Sequence, residues 1–154
     1  LAGGFDKKLA LGTVVVVKKD TVADMGAQEN NKFHSLSDLG LAGKNHFPFS
    51  NGWLVNKTGL LKLTKLKKAN GITVNNISTS KKMIRYFEQK FNPVVESMEG
   101  AALHYVCLSQ KIPFIQLRAV SNFIGERNKK KWKMKEAIIN LNEELIHLLE
   151  KIHK

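Results

Sequence analysis

The chain has 154 residues, 43% of them hydrophobic, and a formal net charge of +12. That length and apolar content suit one domain with its own core, and no apolar run approaches a membrane span. The single Cys107 excludes an internal disulfide, and the excess charge is almost all lysine, a poorer match than arginine to phosphate and guanine.

The first predicted element is a strand over Leu11 to Lys18. Its β-branched run Thr13-Val14-Val15-Val16-Val17 suits full burial. Asp20 to Asn45 is polar and reads as a long loop with a turn or two. His46 to Gly52 reads as an ordered aromatic loop. Leu60 to Ala69 alternates leucine and lysine and is ambiguous between helix and strand, with Asn70-Gly71 marking its end. A second strand is expected over Gly71 to Ile77. Ser80 to Phe91 predicts a helix with Met83, Ile84 and Phe87 on one side and Ser78 or Ser80 as its cap. A short strand over Pro93 to Glu96 leads into a helix over Met98 to Gln110, where Ala101 and Ala102 permit close packing. Ile112 to Ala119 predicts another strand. Trp132 to Ile152 predicts a long amphipathic helix with Met134, Ile138, Leu141, Leu145, Leu148 and Ile152 in its apolar stripe.

Strands alternating with helices imply an α/β fold, with a mixed, mainly parallel sheet flanked by helices. No repeat or interdomain linker interrupts the chain, so 1–154 reads as a single domain. Cys107, set among apolar residues, reads as a buried inert thiol. The lysines are scattered (Lys18-Lys19, Lys62 to Lys68, Lys81-Lys82, Lys129 to Lys131). No zinc finger, helix-turn-helix or aromatic-basic signature accompanies them, which argues against nucleic acid as a partner. A basic RNA-binding module remains the alternative from another functional class.

Nucleotide loops are absent: neither the spaced-glycine dinucleotide pattern nor the glycine-lysine-hydroxyl phosphate loop occurs. No metal site is expected, because His34, His46, His104, His147 and His153 are not spaced as paired ligands and Cys107 stands alone. No organic cofactor is implied. His104, on an apolar helix, reads as a hydrogen-bonded core or boundary residue.

Two segments carry chemistry. Val94-Val95-Glu96-Ser97-Met98-Glu99-Gly100-Ala101-Ala102 places a Met-Glu pair where a strand meets a small-residue helix. Arg118-Ala119-Val120-Ser121-Asn122 places a Ser-Asn pair beyond an apolar strand. Both would sit at the carboxyl ends of strands, where open α/β sheets bind ligands. Glu96 and Glu99 also suit a helix start, where carboxylates favour the dipole, and Ser-Asn is common loop chemistry. Together they offer a carboxylate, a thioether and an amide, which suits a nucleoside whose sugar hydroxyls and base edge must both be held.

At these residues the chain resembles the nucleoside phosphorylase and nucleosidase superfamily. Ala2-Gly3-Gly4-Phe5-Asp6, Leu11-Gly12-Thr13-Val14-Val15, Asp20 to Gln28 with Ala23-Asp24-Met25-Gly26-Ala27, Pro48-Phe49-Ser50-Asn51-Gly52 and Trp132 to Ala137 are similar to its futalosine hydrolase branch. That branch releases hypoxanthine from futalosine in an alternative route to menaquinone. The resemblance implies a three-layer fold and a cytoplasmic homodimer acting on a small-molecule nucleoside. It implies that Glu99 holds the ribose hydroxyls, that Met98 floors the sugar and that Asn122 faces the base. Ser121 would orient the Asn122 amide and Arg118 would brace the strand end. Ser97 and Phe49 fall among the substrate-side residues, with Phe33 and Phe47 as other stacking candidates. Methylthioadenosine/S-adenosylhomocysteine nucleosidase and purine nucleoside phosphorylase are the alternatives within the superfamily. The family's general base is a Glu near its amino terminus, in a segment this chain lacks. The domain is therefore expected to be incomplete at its amino end.

Overall fold

The computed structural model describes residues 1–30 and 32–152; His153 lies outside them. Among the described residues the strands are β1 (Ala2–Gly4), β2 (Val14–Asp20), β3 (Gly26–Glu29), β4 (Lys32–Ser35), β5 (Phe49–Ser50), β6 (Trp53–Val55), β7 (Lys67–Thr73), β8 (Val95–Ser97) and β9 (Leu117–Phe123). The α-helices are α1 (Lys81–Phe91), α2 (Gly100–Ser109) and α3 (Met134–Ile152).

The main sheet runs β5-β6-β2-β7-β8-β1-β9, and β9 also pairs with β2. That last pairing rolls β2, β7, β8, β1 and β9 into a closed ring. Val15, Val17, Ala69, Val95, Val120 and Ala2 fill its interior. The valine run of β2 is buried on both faces, as its composition predicts. Outside the ring, Phe87 of α1 packs on Ile72 and Val74. On the α3 side, Ala137 packs on Val14 and Ala119.

The α/β class and the mixed sheet flanked by helices stand as expected. The parallel share is smaller than the alternation of elements suggests. β2–β7, β7–β8 and β1–β9 are parallel. β1–β8, β2–β9, β2–β6 and β5–β6 are antiparallel. Ring closure and the β5–β6 hairpin account for the difference.

Several local expectations need correction. The Asp20 to Asn45 stretch contains a β3–β4 hairpin rather than loop alone. The second strand begins at Lys67 and runs through Asn70-Gly71, because β2 and β8 supply ladders on both its sides. Gly71 suits that interior: an added Cβ would lie 2.8 Å from Asp20 Oδ2 and 3.0 Å from Val17 Cγ1. Ser80 is the N-cap of α1 and its carbonyl accepts from Ile84 N at 2.9 Å, but the serine side chains do not do the capping. Ser80 makes no side-chain cap bond, and Ser78 serves Glu96 instead. The last strand is Leu117–Phe123, not Ile112 to Ala119. Pro113 has no N–H to give a ladder, and the Phe114 carbonyl accepts instead from Asn56 Nδ2 at 2.8 Å. On α3 the buried contacts are Ala137 and Leu148, with Leu141 packed beside them. Met134, Ile138, Leu145 and Ile152 of the expected stripe are exposed. Cys107 is half-buried rather than enclosed.

Candidate functional site

Strand β1 lies between the two segments that carry chemistry. Gly3 is in register with Glu96 on β8 and with Asn122 on β9. Residues in register on neighbouring strands share a face. Glu96, Gly3 and Asn122 therefore form one row, with no side chain at its centre. An added Cβ on Gly3 would lie 2.5 Å from Ile124 Cδ1 and 3.6 Å from Asn122 Nδ2.

At the Leu1 end of this strand stands Glu99, the residue that precedes the first turn of α2. Its side chain is 71% exposed and accepts from Arg118 Nη1 at 3.2 Å. Arg118 is only 13% exposed and also donates to the Leu1 carbonyl at 3.5 Å. Arg118 thus joins the start of β1 to the start of α2. Met98 is half exposed beside Glu99. Ser97 is buried, and its Oγ accepts from Gly100 N at 3.3 Å.

Asn122 and Ser121 lie inside β9, not in a loop beyond a strand. Ser121 Oγ stands 2.9 Å from Asn122 Oδ1, to which it donates, and 3.3 Å from the Ala2 carbonyl. Asn122 Nδ2 donates to its neighbour's carbonyl, Phe123 O, at 3.3 Å. One lone pair and one N–H of the amide are left for a ligand. Phe49 shares no such arrangement. It lines a cavity of about 360 Å³ with Met25, Trp53 and Phe91, and its ring centroid is 6.1 Å from that of Tyr105.

Glu96 does not start a helix. It is buried in β8 and accepts from Ser78 N at 3.1 Å and, in a second bond, from the Ser78 hydroxyl. Burial pushes its carboxyl above the usual range. It ties the Asn76 to Ser80 segment to the sheet beside Gly3. His104 is fully buried, as its helix position predicts, and burial lowers its pKa.

Sequence reasoning missed a second buried carboxylate. Asp20, at the end of β2, is fully buried, and burial raises its pKa to about 6. Its Oδ1 accepts from Thr21 N at 2.8 Å and Thr73 Oγ1 at 2.9 Å; its Oδ2 accepts from Gln116 Nε2 at 3.3 Å. Gln116 in turn faces His104. His104 Nδ1 lies 3.0 Å from the Leu54 carbonyl and must donate to it, which leaves Nε2 as an acceptor in the neutral ring. His104 Nε2 and Gln116 Oε1 are both buried without a partner. A proton on His104 satisfies both. So does a proton on Asp20 together with a turned Gln116 amide. No periodicity or spacing links these residues; the fold alone assembles them.

Among the described residues no group of three or more His, Cys, Asp or Glu side chains is placed to hold a metal ion. No helix among them is long and apolar enough to cross a membrane.

Residues 1–152 match the family model of the phosphorylase superfamily. The chain belongs to that superfamily. It is 30% identical over 145 residues to futalosine hydrolase of Streptomyces coelicolor, covering 93% of this chain and 60% of that protein. It is 32% identical over 153 residues to futalosine hydrolase of Thermus thermophilus, covering 97% and 66%. The chain therefore spans about two thirds or less of these relatives' length. Among solved structures it is similar in fold to a 5'-methylthioadenosine/S-adenosylhomocysteine nucleosidase of Colwellia psychrerythraea in complex with adenine. There the TM-score is 0.77 at 21% identity, covering 97% of this chain and 64% of that one. The futalosine hydrolase of Helicobacter pylori has a TM-score of 0.77 at 18% identity, covering 98% and 65%.

Proposed function

We propose that the protein is a purine nucleosidase that hydrolyses the N-glycosidic bond of futalosine and releases hypoxanthine, a step toward menaquinone. The likeness to two futalosine hydrolases over nearly the whole chain carries this reading. The site chemistry agrees with it. Breaking the glycosidic bond builds positive charge on the sugar as water attacks. A carboxylate at Glu99, accepting from the ribose hydroxyls, stabilises that charge more in the transition state than in the ground state. Arg118 holds Glu99 in place, and Met98 supplies a soft apolar floor.

Asn122 faces the leaving base. Hypoxanthine departing with a proton on N7 presents a donor there and an acceptor at O6. The remaining lone pair and N–H of Asn122 are the complement. The amide has no proton of useful acidity, so Asn122 orients and stabilises the base without acting as a general acid. Ser121 fixes which way the amide points. Water activation is assigned to none of these residues. The reading places the protein in the cytoplasm as a homodimer, with no nucleic-acid or membrane partner.

Incubating the natural protein with futalosine and with methylthioadenosine tests the assignment. Hypoxanthine released at a rate independent of phosphate is the expected result. Adenine without hypoxanthine would overturn it in favour of methylthioadenosine nucleosidase. A phosphate-dependent rate would make the protein a phosphorylase.

A further inference from the structure

Among the described residues the Glu99 carboxylate has one ion pair, with Arg118, while the backbone that follows it is anchored by buried side chains. The first free amides of a helix need acceptors, and the side chain of Glu99 supplies none to α2. Ser97 Oγ accepts from Gly100 N, and Thr73 Oγ1 accepts from Ala101 N at 2.7 Å. Thr73 can accept there because its own proton goes to Asp20 Oδ1. The other Asp20 oxygen lies against Gly100. A Cβ added at Gly100 would fall 2.2 Å from Asp20 Oδ2, 2.6 Å from Gln116 Nε2 and 2.9 Å from Ser97 Oγ. The residue after Glu99 is thus seated on Asp20, and the next amide is bound through Thr73.

We infer that Asp20 and Thr73 are positioning residues that set the place of Glu99 by fixing the first turn of α2. The inference rests on the proposed role of Glu99 at the sugar. Asp20 acts as a hydrogen-bond acceptor, on Thr73 directly and on α2 through it. Asparagine would keep that acceptor at Oδ1. Its Nδ2 would meet Gln116 Nε2, and turning the Gln116 amide resolves the clash. Oε1 then accepts from the new amide, and Nε2 donates to the bare nitrogen of His104. Asp20→Asn is therefore expected to fold.

The test compares Thr73→Val, Asp20→Ala and Asp20→Asn in the natural protein, each checked for folding by circular dichroism. Hydrogen exchange at the Ala101 amide reads the positioning without any substrate. It should quicken by about tenfold or more in Thr73→Val and in Asp20→Ala, and change little in Asp20→Asn. Hydrolysis reads the consequence. The first two variants should lose about tenfold or more in kcat with KM nearly unchanged, because a small displacement of a catalytic group costs rate. Asp20→Asn should recover most of that loss. Unchanged exchange at Ala101 in Thr73→Val overturns the inference whatever the substrate is. So does unchanged kcat in an active protein, or Asp20→Asn falling as far as Asp20→Ala. A natural protein that cleaves no purine nucleoside would instead count against the proposed function, and exchange would still decide the positioning.

Discussion

The two ends of β1 are furnished in opposite ways. At the Leu1 end stands an exposed charge, Glu99, braced by Arg118. At the Gly3 end stands a neutral amide, Asn122, inside a strand and turned by Ser121. Under the proposed function, the difference matches what a departing nucleoside demands. The sugar becomes cationic and needs a charge that can approach it. The base needs its donor and acceptor pattern matched without a competing charge.

The charged end should show the largest effect. Glu99→Gln removes the charge and keeps the shape. It is expected to lower kcat on the order of 100-fold or more, with less effect on substrate binding. Steady-state kinetics of the natural protein and the variant would check this. Unchanged turnover in a folded variant would erase the contrast between the two ends.

The second effect concerns stability beneath the charged end. Asp20 has a pKa of about 6 in the fold against 3.8 for the free side chain. Between those values Asp20 binds more protons in the folded protein than in the unfolded chain. Stability from this group is thus greatest below about pH 4 and falls as pH rises to about 6, by roughly 3 kcal/mol at most. Above that it is flat. Asp20→Asn should abolish this slope, so thermal melting should show the variant gaining stability relative to the natural protein between pH 4 and pH 8. An unaltered slope would show that Asp20 does not titrate where its burial places it.

At the neutral end the effect is smaller. If the proposed function holds, Asn122→Ala is expected to slow the hydrolysis by roughly tenfold, the size of one or two lost hydrogen bonds to the reacting system. Its melting temperature should move little, because among the described residues the Asn122 side chain bonds only to Ser121 and to its neighbour's carbonyl.

These two ends differ also in how far the sequence discloses them. Glu99 is legible because a strand, a carboxylate and an Ala-rich helix follow one another locally. The valine run of β2 and the helix at Phe87 are legible for the same reason: burial and periodicity are local patterns. Asn122 is legible as a residue but not as a strand position, since Pro113 and the apolar run before it draw the expected strand too early. The Asp20 cluster is not legible at all. Its partners Thr73 and Gln116 stand 53 and 96 positions away. In sequence Asp20 opens a polar stretch and a family-like motif, but nothing there marks it as buried under α2. Ring closure of the sheet brings these residues under α2, and no local rule announces it. The Lys67-Lys68 start of β7 fails for a related reason. Its exposed lysines mask a strand that is held by ladders rather than by burial.

The most direct test of the account is the base preference of Asn122→Asp. Catalytic efficiencies for a 6-oxopurine nucleoside and a 6-aminopurine nucleoside are measured in the natural protein and the variant, across pH. A protonated Asp can donate to N7 and accept from an exocyclic amine, whereas an ionised Asp repels O6. The hypoxanthine-to-adenine ratio should therefore fall by about tenfold or more in Asn122→Asp, with the 6-oxopurine activity lost most at high pH. A ratio unchanged by the substitution would show that Asn122 does not read the base, and the account of the neutral end would be wrong.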